Sequence, residues 1–311
     1  MDETPRVVID CDPGHDDAMA IILAARHAEV LGLTTVAGNI GLDLTTRNAL
    51  VTTQIMGLDV PVRRGAARPL VAPPRDAAHV HGQSGLDGPT LPHLERSEVG
   101  TDAVDWLATA ARDNPGMWLI PIGPLTNVAL AIRRHPDLLG HLRGVSIMGG
   151  GTADKPGNLT SMAEFNIAVD PEAAAVLFEQ EVPIRMCGLN VTHQFGATDA
   201  EAGDFRALGT ATGVFVADLL EHYIGAYERT FGIRRAAIHD PCAVLAVTHP
   251  ELFEFERRRV HIELTGTHTR GMTVVDRRQP GPGDGPVEVA MAIDADRAME
   301  LLVDACAAPA L

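Results

Sequence analysis

Residues 7–26 read VVIDCDPGHDDAMAIILAAR and place four aspartates, Asp10, Asp12, Asp16 and Asp17, between two apolar runs. The first run is continuously apolar, as in a strand that is buried on both faces, and the second has the period of a helix. A buried strand that turns into a helix is the repeating unit of a parallel α/β sheet. The negative charge concentrated at that turn therefore needs a physical reason.

The same alternation of apolar runs and helical patterns continues along the chain. RVVID precedes DDAMAIILAARH, GLTTVAG precedes TTRNALVTTQIMG, and MWLIPIG precedes LTNVALAIRRH; further strands are GVSIMGGG, VPIRMCGLN and VEVAMAI, and the closing helix is DADRAMELLVDACAA. This order predicts an α/β fold with an open, mostly parallel sheet flanked by helices, in a single domain over residues 1–311. A small antiparallel excursion near the C-terminus is predicted for residues 257–278, and QPGPGDGP after it is predicted to be a surface turn.

The composition limits the partners of the chain. A net charge of −16 and a pI near 5.1, with Lys155 as the single lysine, argue against nucleic acid as a partner. No apolar run approaches the roughly 20 residues that cross a bilayer, and MDETPRVV lacks the features of a signal peptide. We therefore expect a cytoplasmic protein with no membrane partner. The cysteines show no CxxC spacing and are expected to be buried reduced thiols: Cys11, Cys187, Cys242 and Cys306.

Polar residues collect where the predicted strands end. Asp10 and Asp12 follow the first strand, Asn39 follows the second, and GPLTN and glycines follow two others. Ligands of open parallel sheets bind beyond these carboxyl ends, so one shared site is expected there. Two long polar loops, residues 73–93 with HVHGQSG and residues 149–166 with GGGTADKPGN, are candidates to border it.

Helix capping explains one aspartate of the opening stretch, with Asp16 as the first choice, but not four. Carboxylates this close raise one another's pKa unless a cation keeps them ionised. No arginine lies between Arg6 and Arg26, and oxygen ligands favour a hard ion such as Ca²⁺ or Mg²⁺. A metal site is the favoured interpretation, and a capped turn with solvated acids is the alternative.

Four motifs in order resemble the inosine-uridine-preferring nucleoside hydrolase family: DCDPGHDDAMA, PIGPLTN, GNLTSMAEFN and IHDPCAV. The likeness covers nearly the whole chain. It implies an N-ribohydrolase that cleaves purine ribonucleosides, uridine or both to ribose and free base, in salvage, with one bound Ca²⁺. It also implies a homodimer or homotetramer whose small-molecule partner is the ribonucleoside.

The resemblance also implies a role for individual residues. The calcium ligands would be Asp12, Asp17, the carbonyl of Ile122 and Asp240. Asp12 would also act as the base on a calcium-bound water that attacks C1′, and His239 would protonate the leaving base. The substrate contacts would be Asp16, Asn39, His81, Met148, Asn158, Glu164, Phe165, Asn166, Tyr223, Tyr227 and Asp240. A pocket dense in carboxylates suits the oxocarbenium-like sugar of such a reaction.

Alternatives remain at this stage. An unperturbed pKa near 6.5 would let His239 protonate a departing purine, but His239 also fits a hydrogen-bonded structural histidine. Tyr223 and Tyr227, four apart on one helix face, also fit plain packing. A phosphatase of the haloacid dehalogenase type also opens with DxD after a first strand, but it needs a downstream lysine. A calcium-dependent nucleoside-binding protein without turnover is the second rival.

Overall fold

The computed structural model describes residues 4–278, 285–309 and 311, so most of QPGPGDGP lies outside the described residues. The strands in chain order are β1 (Arg6–Cys11), β2 (Glu29–Thr35), β3 (Val62–Arg64), β4 (Met117–Pro121), β5 (Leu142–Met148), β6 (Ile184–Cys187), β7 (Gly196–Ala197), β8 (Ala236–Ala237), β9 (Phe253–Arg258), β10 (Val260–Ile262), β11 (Thr273–Val275) and β12 (Val287–Ile293). The α-helices are α1 (His15–His27), α2 (Leu42–Met56), α3 (Ala78–His81), α4 (Ala103–Asp113), α5 (Thr126–Arg134), α6 (Leu138–His141), α7 (Phe165–Val169), α8 (Pro171–Phe178), α9 (Leu189–Thr192), α10 (Asp199–Ala207), α11 (Ala211–Phe231), α12 (Pro241–Thr248) and α13 (Ala295–Ala307).

The central sheet has eight strands in the order β3-β2-β1-β4-β5-β6-β12-β9. Its neighbours pair in parallel except β12 and β9, which are antiparallel. The predicted mostly parallel sheet is therefore confirmed. The predicted excursion near the C-terminus is confirmed as the antiparallel pair β10–β11, and the antiparallel edge strand β9 directly precedes it.

Both faces of the sheet are covered, which is why its central strands β1, β4 and β5 are mostly apolar and buried. Along β1, Val7 and Ile9 belong to one buried cluster and Val8 to the other, as the alternation of side chains in a strand requires. Helices α1, α11, α12 and α13 contribute to the first cluster, and α4, α5 and α8 to the second. The four cysteines are free and buried, as predicted.

The order of the sheet decides where a ligand can bind. Strand β1 lies between β2 and β4, so the chain leaves β1 and β4 in opposite directions and opens a crevice at their carboxyl ends. The backbone N–H of Ile122 donates to the carbonyl of Asp10 over 2.8 Å, which places the ends of the two strands side by side. Within the described part of the chain, no helix combines the length and apolar character needed to cross a membrane.

Candidate active site

The turn between β1 and α1 is closed by Asp17. Its Oδ2 accepts the backbone N–H of Gly14 over 2.9 Å, and its Oδ1 accepts that of Asp12 over 3.1 Å. Gly14 is the N-cap residue, and Asp17 is three positions later, where a carboxylate can reach back to the start of the helix. The first choice of Asp16 as the cap was therefore wrong. Asp16 points instead into the crevice beyond the sheet.

Asp12 is fully buried at the end of β1. Its Oδ2 accepts the backbone N–H of Asn39 over 2.6 Å, whereas its Oδ1 has no hydrogen-bond partner. A Cβ at Gly38 or at Gly123 would collide with the Asp12 carboxylate, so the two glycine backbones form a cradle around it. A buried carboxylate oxygen without a partner is costly, and its presence here calls for a ligand.

Three more carboxyl groups complete the acidic cluster. One oxygen each from Asp16, Asp17 and Asp240 lies within 4.8 Å of the others, and all three side chains are buried. Asp240 directly precedes α12, and the Asn39 side chain ties the cluster to Asp12 by donating to Asp17 Oδ2 over 3.1 Å and to the Asp12 carbonyl over 3.2 Å.

In the absence of a cation, burial raises the pKa of each of these groups and so favours its protonated form. It raises the pKa of Asp16 to about 8, with repulsion from Asp17 adding to the effect, and it raises the pKa of Asp17 to about 6. Burial, followed by repulsion from neighbouring aspartates, also raises the pKa of Asp12 and of Asp240 well above the usual range. Only a nearby positive charge would keep all four ionised at neutral pH.

The donor set fits a hard divalent metal ion. None of the described residues that line the crevice is a lysine or an arginine, so side chains provide no counter-charge there. The carbonyl of Ile122 accepts the Asn166 side-chain amide over 2.9 Å, which leaves it a second lone pair for a cation. Carboxylate and carbonyl oxygens are the ligands that Ca²⁺ and Mg²⁺ prefer. The structure thus contains an acidic cluster that could hold a metal ion.

A cavity opens above the cluster and encloses about 620 Å³ of empty space, including solvent at its mouth. Asp12 and Asp17 lie behind its wall and do not line it. The predicted site residues that line it are Asp16, Asn39, His81, Ile122, Met148, Asn158, Glu164, Phe165, Asn166, Tyr223, Tyr227, His239 and Asp240.

One side of the cavity is formed by the loop of residues 149–166, which Glu164 folds back on itself. The Glu164 carboxylate accepts the backbone N–H groups of Gly150, Asn166 and Ile167 over 2.9, 2.9 and 3.2 Å. Burial nevertheless raises the pKa of Glu164 to about 7. Asn158 Oδ1 accepts the backbone N–H of Phe165 over 2.9 Å. The polar groups on this side are therefore fixed in place by the backbone of their own loop.

The opposite side centres on His239. Its Nδ1 lies 2.7 Å from the Thr192 hydroxyl and its Nε2 lies 2.8 Å from the Tyr227 hydroxyl. Burial, with a smaller contribution from His193, lowers the pKa of His239 to about 3, so the expectation of an ordinary pKa was wrong. Burial raises the pKa of the Tyr227 hydroxyl well above its usual value. At neutral pH the chain Thr192–His239–Tyr227 is therefore uncharged and linked by hydrogen bonds.

His81, from the loop of residues 73–93, is held against the start of α1. Its Nδ1 accepts the backbone N–H of His15 over 3.2 Å, so a neutral His81 carries its proton on Nε2. The His81 ring also stacks on Tyr223, with centroids 5.4 Å apart. A side chain at Gly14 would meet His81 Nδ1 at 2.5 Å, so this close approach depends on the glycine.

Some residues of the cavity wall were not predicted from the sequence. Phe231 lies four residues after Tyr227 and eight after Tyr223, and its ring packs against Tyr227 with centroids 5.1 Å apart. Its four-residue spacing from Tyr227 places it on the same helix face, and this spacing could have identified it. Thr192 offered no comparable signal, because it is 47 residues from His239 in the sequence. The phosphatase alternative needs a lysine in the site. Lys155 is exposed on the loop of residues 149–166 and does not line the cavity.

Residues 7–300 match the model of the family described as inosine-uridine preferring nucleoside hydrolase. The chain belongs to this family. Curated relatives agree: a pyrimidine-specific ribonucleoside hydrolase of Shewanella woodyi is 44% identical over 88% of this chain and 89% of its own length. The inosine-uridine preferring nucleoside hydrolase of Leishmania major is 38% identical over 96% of both chains.

The solved structure of a plant nucleoside hydrolase superposes on this nucleoside hydrolase with a TM-score of 0.91, at 31% identity, over 99% of this chain and 100% of the other. Sequence and fold therefore agree over nearly the full length. The protein is accordingly an enzyme that acts on the N-glycosyl bonds of ribonucleosides. The resemblance inferred from four motifs is confirmed.

Proposed function

We propose that this ribonucleoside hydrolase depends on Ca²⁺ and cleaves uridine, with purine ribonucleosides such as inosine as further candidate substrates. The observation that carries the metal proposal is the unpartnered, buried Oδ1 of Asp12 beside the cluster of Asp16, Asp17 and Asp240. Uridine is proposed first because the names of the Shewanella and Leishmania relatives refer to pyrimidine nucleosides and to uridine.

Asp12, Asp17, Asp240 and the carbonyl of Ile122 would hold the ion. When bound, Ca²⁺ supplies positive charge that keeps the carboxylates ionised, orients a water molecule and offers coordination positions to ribose hydroxyls. Asp12 is then the base that removes a proton from the attacking water. The backbone N–H of Asn39 fixes one Asp12 oxygen, so the carboxylate cannot rotate away from the water.

The rest of the cluster stabilises the sugar as its bond to the base breaks. Positive charge develops on C1′ and the ring oxygen, and the carboxylates of Asp16 and Glu164 face the cavity where the sugar would lie. Asn158 and Asn166 line the same side and would orient the hydroxyl groups. Both asparagines are already fixed by backbone contacts, so little ordering is required when substrate binds.

The departing base needs a proton or a hydrogen bond on its nitrogen or oxygen atoms. His239 is neutral, so we assign it to a hydrogen-bonded chain in which the Tyr227 hydroxyl reaches the cavity. Tyr227 donates a hydrogen bond to the base and accepts one from Nε2–H of His239, whose Nδ1 accepts the Thr192 hydroxyl. The proton that the base finally takes up balances the one that the attacking water loses, and it reaches the base through solvent. His81 presents Nε2–H as a second donor to an acceptor on the base.

We further propose a cytoplasmic homo-oligomer, a dimer or a tetramer, with residues 1–311 acting as one domain in nucleoside salvage. These proposals rest on the family resemblance. Analytical ultracentrifugation of the purified protein measures the oligomeric state directly, and a monomer would refute that part.

A substrate panel tests the function. Uridine, cytidine, inosine, adenosine and guanosine are incubated with calcium-loaded enzyme, and free ribose is measured as reducing sugar. Release from uridine is the expected result, and 2′-deoxyuridine is the matched control, expected to react about 10⁴-fold less because the polar groups that meet the 2′-hydroxyl would be left unpaired. Binding without release would favour the non-catalytic alternative. Phosphate release from phosphomonoesters with Mg²⁺ would favour the phosphatase.

A further inference from the structure

A second cavity adjoins the first. It encloses about 1100 Å³ of empty space, against about 620 Å³ for the first cavity on the same measure. Three residues, Asn158, Tyr227 and Phe231, line both cavities, so the two cavities adjoin at these side chains. The remaining lining residues of the second cavity are Gly157, Thr160, Ser161, His193, Ile233, Arg235 and Ala237.

The lining of the second cavity differs chemically from that of the first. None of the described residues around it is acidic, whereas the first cavity contains Asp16, Glu164 and Asp240. Its charged residue, Arg235, already donates to the backbone carbonyls of His193 and Gln194 over 3.1 and 3.0 Å. This lining does not resemble a site for a sugar or a cation.

Apolar and aromatic side chains provide most of the remaining surface. Phe231 and Ile233 are 45% and 57% exposed, although they are large apolar residues, and both face this space together with Tyr227 and Ala237. Exposed apolar groups gathered at the rim of a cavity mark a place where an apolar ligand group gains by leaving water.

The position of the shared residues indicates which part of a ribonucleoside would enter. The sugar end is defined by the carboxylates of the first cavity, and the base end by Tyr227, whose hydroxyl contacts His239. Two of the three shared residues, Tyr227 and Phe231, lie on the base side, and Asn158 lies on the sugar side. A group attached to the leaving base therefore meets two of the three residues where the cavities adjoin.

We propose that the second cavity is a subsite for an apolar or aromatic substituent on the leaving base, which gives the enzyme activity on base-substituted ribonucleosides. This inference rests on the proposed function of the first cavity. The reaction itself is unchanged: water supplies the hydroxyl group to C1′ and a proton to the base nitrogen, and the C1′–N bond breaks. No other reactant is required.

Matched substrate pairs test the proposal. Uridine is compared with 5-benzyluridine, and adenosine with N6-benzyladenosine, using free ribose as the readout for whichever parent is cleaved. Where a parent nucleoside is cleaved, we expect its benzyl derivative to be hydrolysed with a KM about tenfold lower. A change of this size is what burial of a small apolar group in a binding pocket contributes. If a parent is cleaved but its benzyl derivative is not, or if the two have equal KM values, the proposed subsite is refuted. Parents that yield no ribose would instead refute the proposed function.

Variants that touch only the second cavity separate the subsite from the active site. Ser161→Trp should fill the space and Ile233→Ser should remove apolar surface, and neither residue lines the first cavity. Both variants should abolish the lower KM of the benzyl derivative and leave the KM of the parent nucleoside unchanged. The matched control is Val99→Ser, since Val99 is also 57% exposed but lies away from the cavity. Equal preference for the benzyl derivative in all four proteins would contradict the proposal.

Discussion

The backbone N–H of Asn39 donates to Asp12 Oδ2 over 2.6 Å and fixes the carboxylate, whose other oxygen has no partner. The donor follows β2 and the acceptor follows β1, so the parallel pairing of these strands sets the distance. The backbone of Gly123 lies against the free oxygen and that of Gly38 against the bonded one. This geometry leaves one oxygen of a buried carboxylate available for a metal ion or a water molecule.

Asp12→Asn should abolish hydrolysis and leave the fold intact. The amide keeps the volume of the side chain and an oxygen for Asn39, but it cannot accept a proton from water. We expect kcat for uridine to fall by at least about 10²–10⁴-fold, the usual contribution of a general base. Asp59→Asn is the control, because the Asp59 side chain is fully exposed and pairs with Arg96 at the surface. Turnover retained by the Asp12 variant would refute the assignment of the base.

Removal of the metal should inactivate the enzyme and destabilise it. Without a cation, the buried Asp12, Asp17 and Asp240 must either take up protons or repel one another, so a chelator should lower both the rate of ribose release and Tm. Restored Ca²⁺ at 100 times its Kd should raise the free energy of unfolding by about 2.7 kcal/mol. Mg²⁺ should restore less, because it demands a smaller octahedral site. Full activity after chelation, with calcium shown to be absent, would contradict the metal role.

Tyr227→Phe and His239→Ala should impair the departure of poor leaving groups selectively. We expect kcat on uridine to fall by about 10²-fold in each variant, because the hydrogen-bonded chain that donates to the base is then broken. p-Nitrophenyl riboside is the comparison substrate, since its leaving group is stable as an anion, and its hydrolysis should be nearly unchanged. If kcat fell equally on both substrates, Tyr227 and His239 would instead be needed only to keep the shape of the cavity.

The sequence predicted the sheet because periodicity is a local property, and it predicted most of the cavity wall through the resemblance of its motifs to a known family. That resemblance placed Tyr223 and Tyr227 in the base pocket, and both line the cavity. Contacts between segments that are distant in the chain could not be predicted from the sequence. Nothing near His239, for example, indicates Thr192 as its hydrogen-bond partner. The pKa of His239 was predicted wrongly for the same reason, since burial is a property of the whole fold. The choice between Asp16 and Asp17 as the helix cap needed backbone geometry.

Glu164 should make the metal-free protein less stable as pH rises. Burial raises its pKa from 4.5 to about 7. Below pH 4.5 the carboxyl group is protonated whether the chain is folded or unfolded. Between these values the unfolded chain releases the proton and the folded chain keeps it, so stability is lost as pH rises through about 7, by on the order of 3 kcal/mol.

Urea unfolding of the chelated protein between pH 4.5 and 8 measures this effect. Glu164→Gln is the matched variant, since it keeps an acceptor oxygen for the backbone N–H of Asn166 but does not ionise. The other buried carboxyl groups titrate in both proteins, so the difference in slope between the two belongs to Glu164. Identical slopes would show that the carboxyl group has an ordinary pKa.

Thr273 should control substrate affinity from outside the cavity. This buried residue begins β11, and its hydroxyl accepts the backbone N–H of Gly151 over 2.8 Å and donates to the carbonyl of Gly151 over 2.6 Å. The neighbouring Gly150 N–H donates to Glu164, so the antiparallel excursion holds the loop that carries the sugar contacts. Thr273→Val keeps the shape of the side chain but leaves both backbone groups of Gly151 unpartnered, at a cost of about 1–3 kcal/mol.

Steady-state kinetics measures the effect of this change. We expect KM for uridine to rise about tenfold in Thr273→Val, with a smaller change in kcat, and we expect Thr273→Ser to restore the KM. A valine variant with the wild-type KM would show that the hydroxyl group does not position the loop.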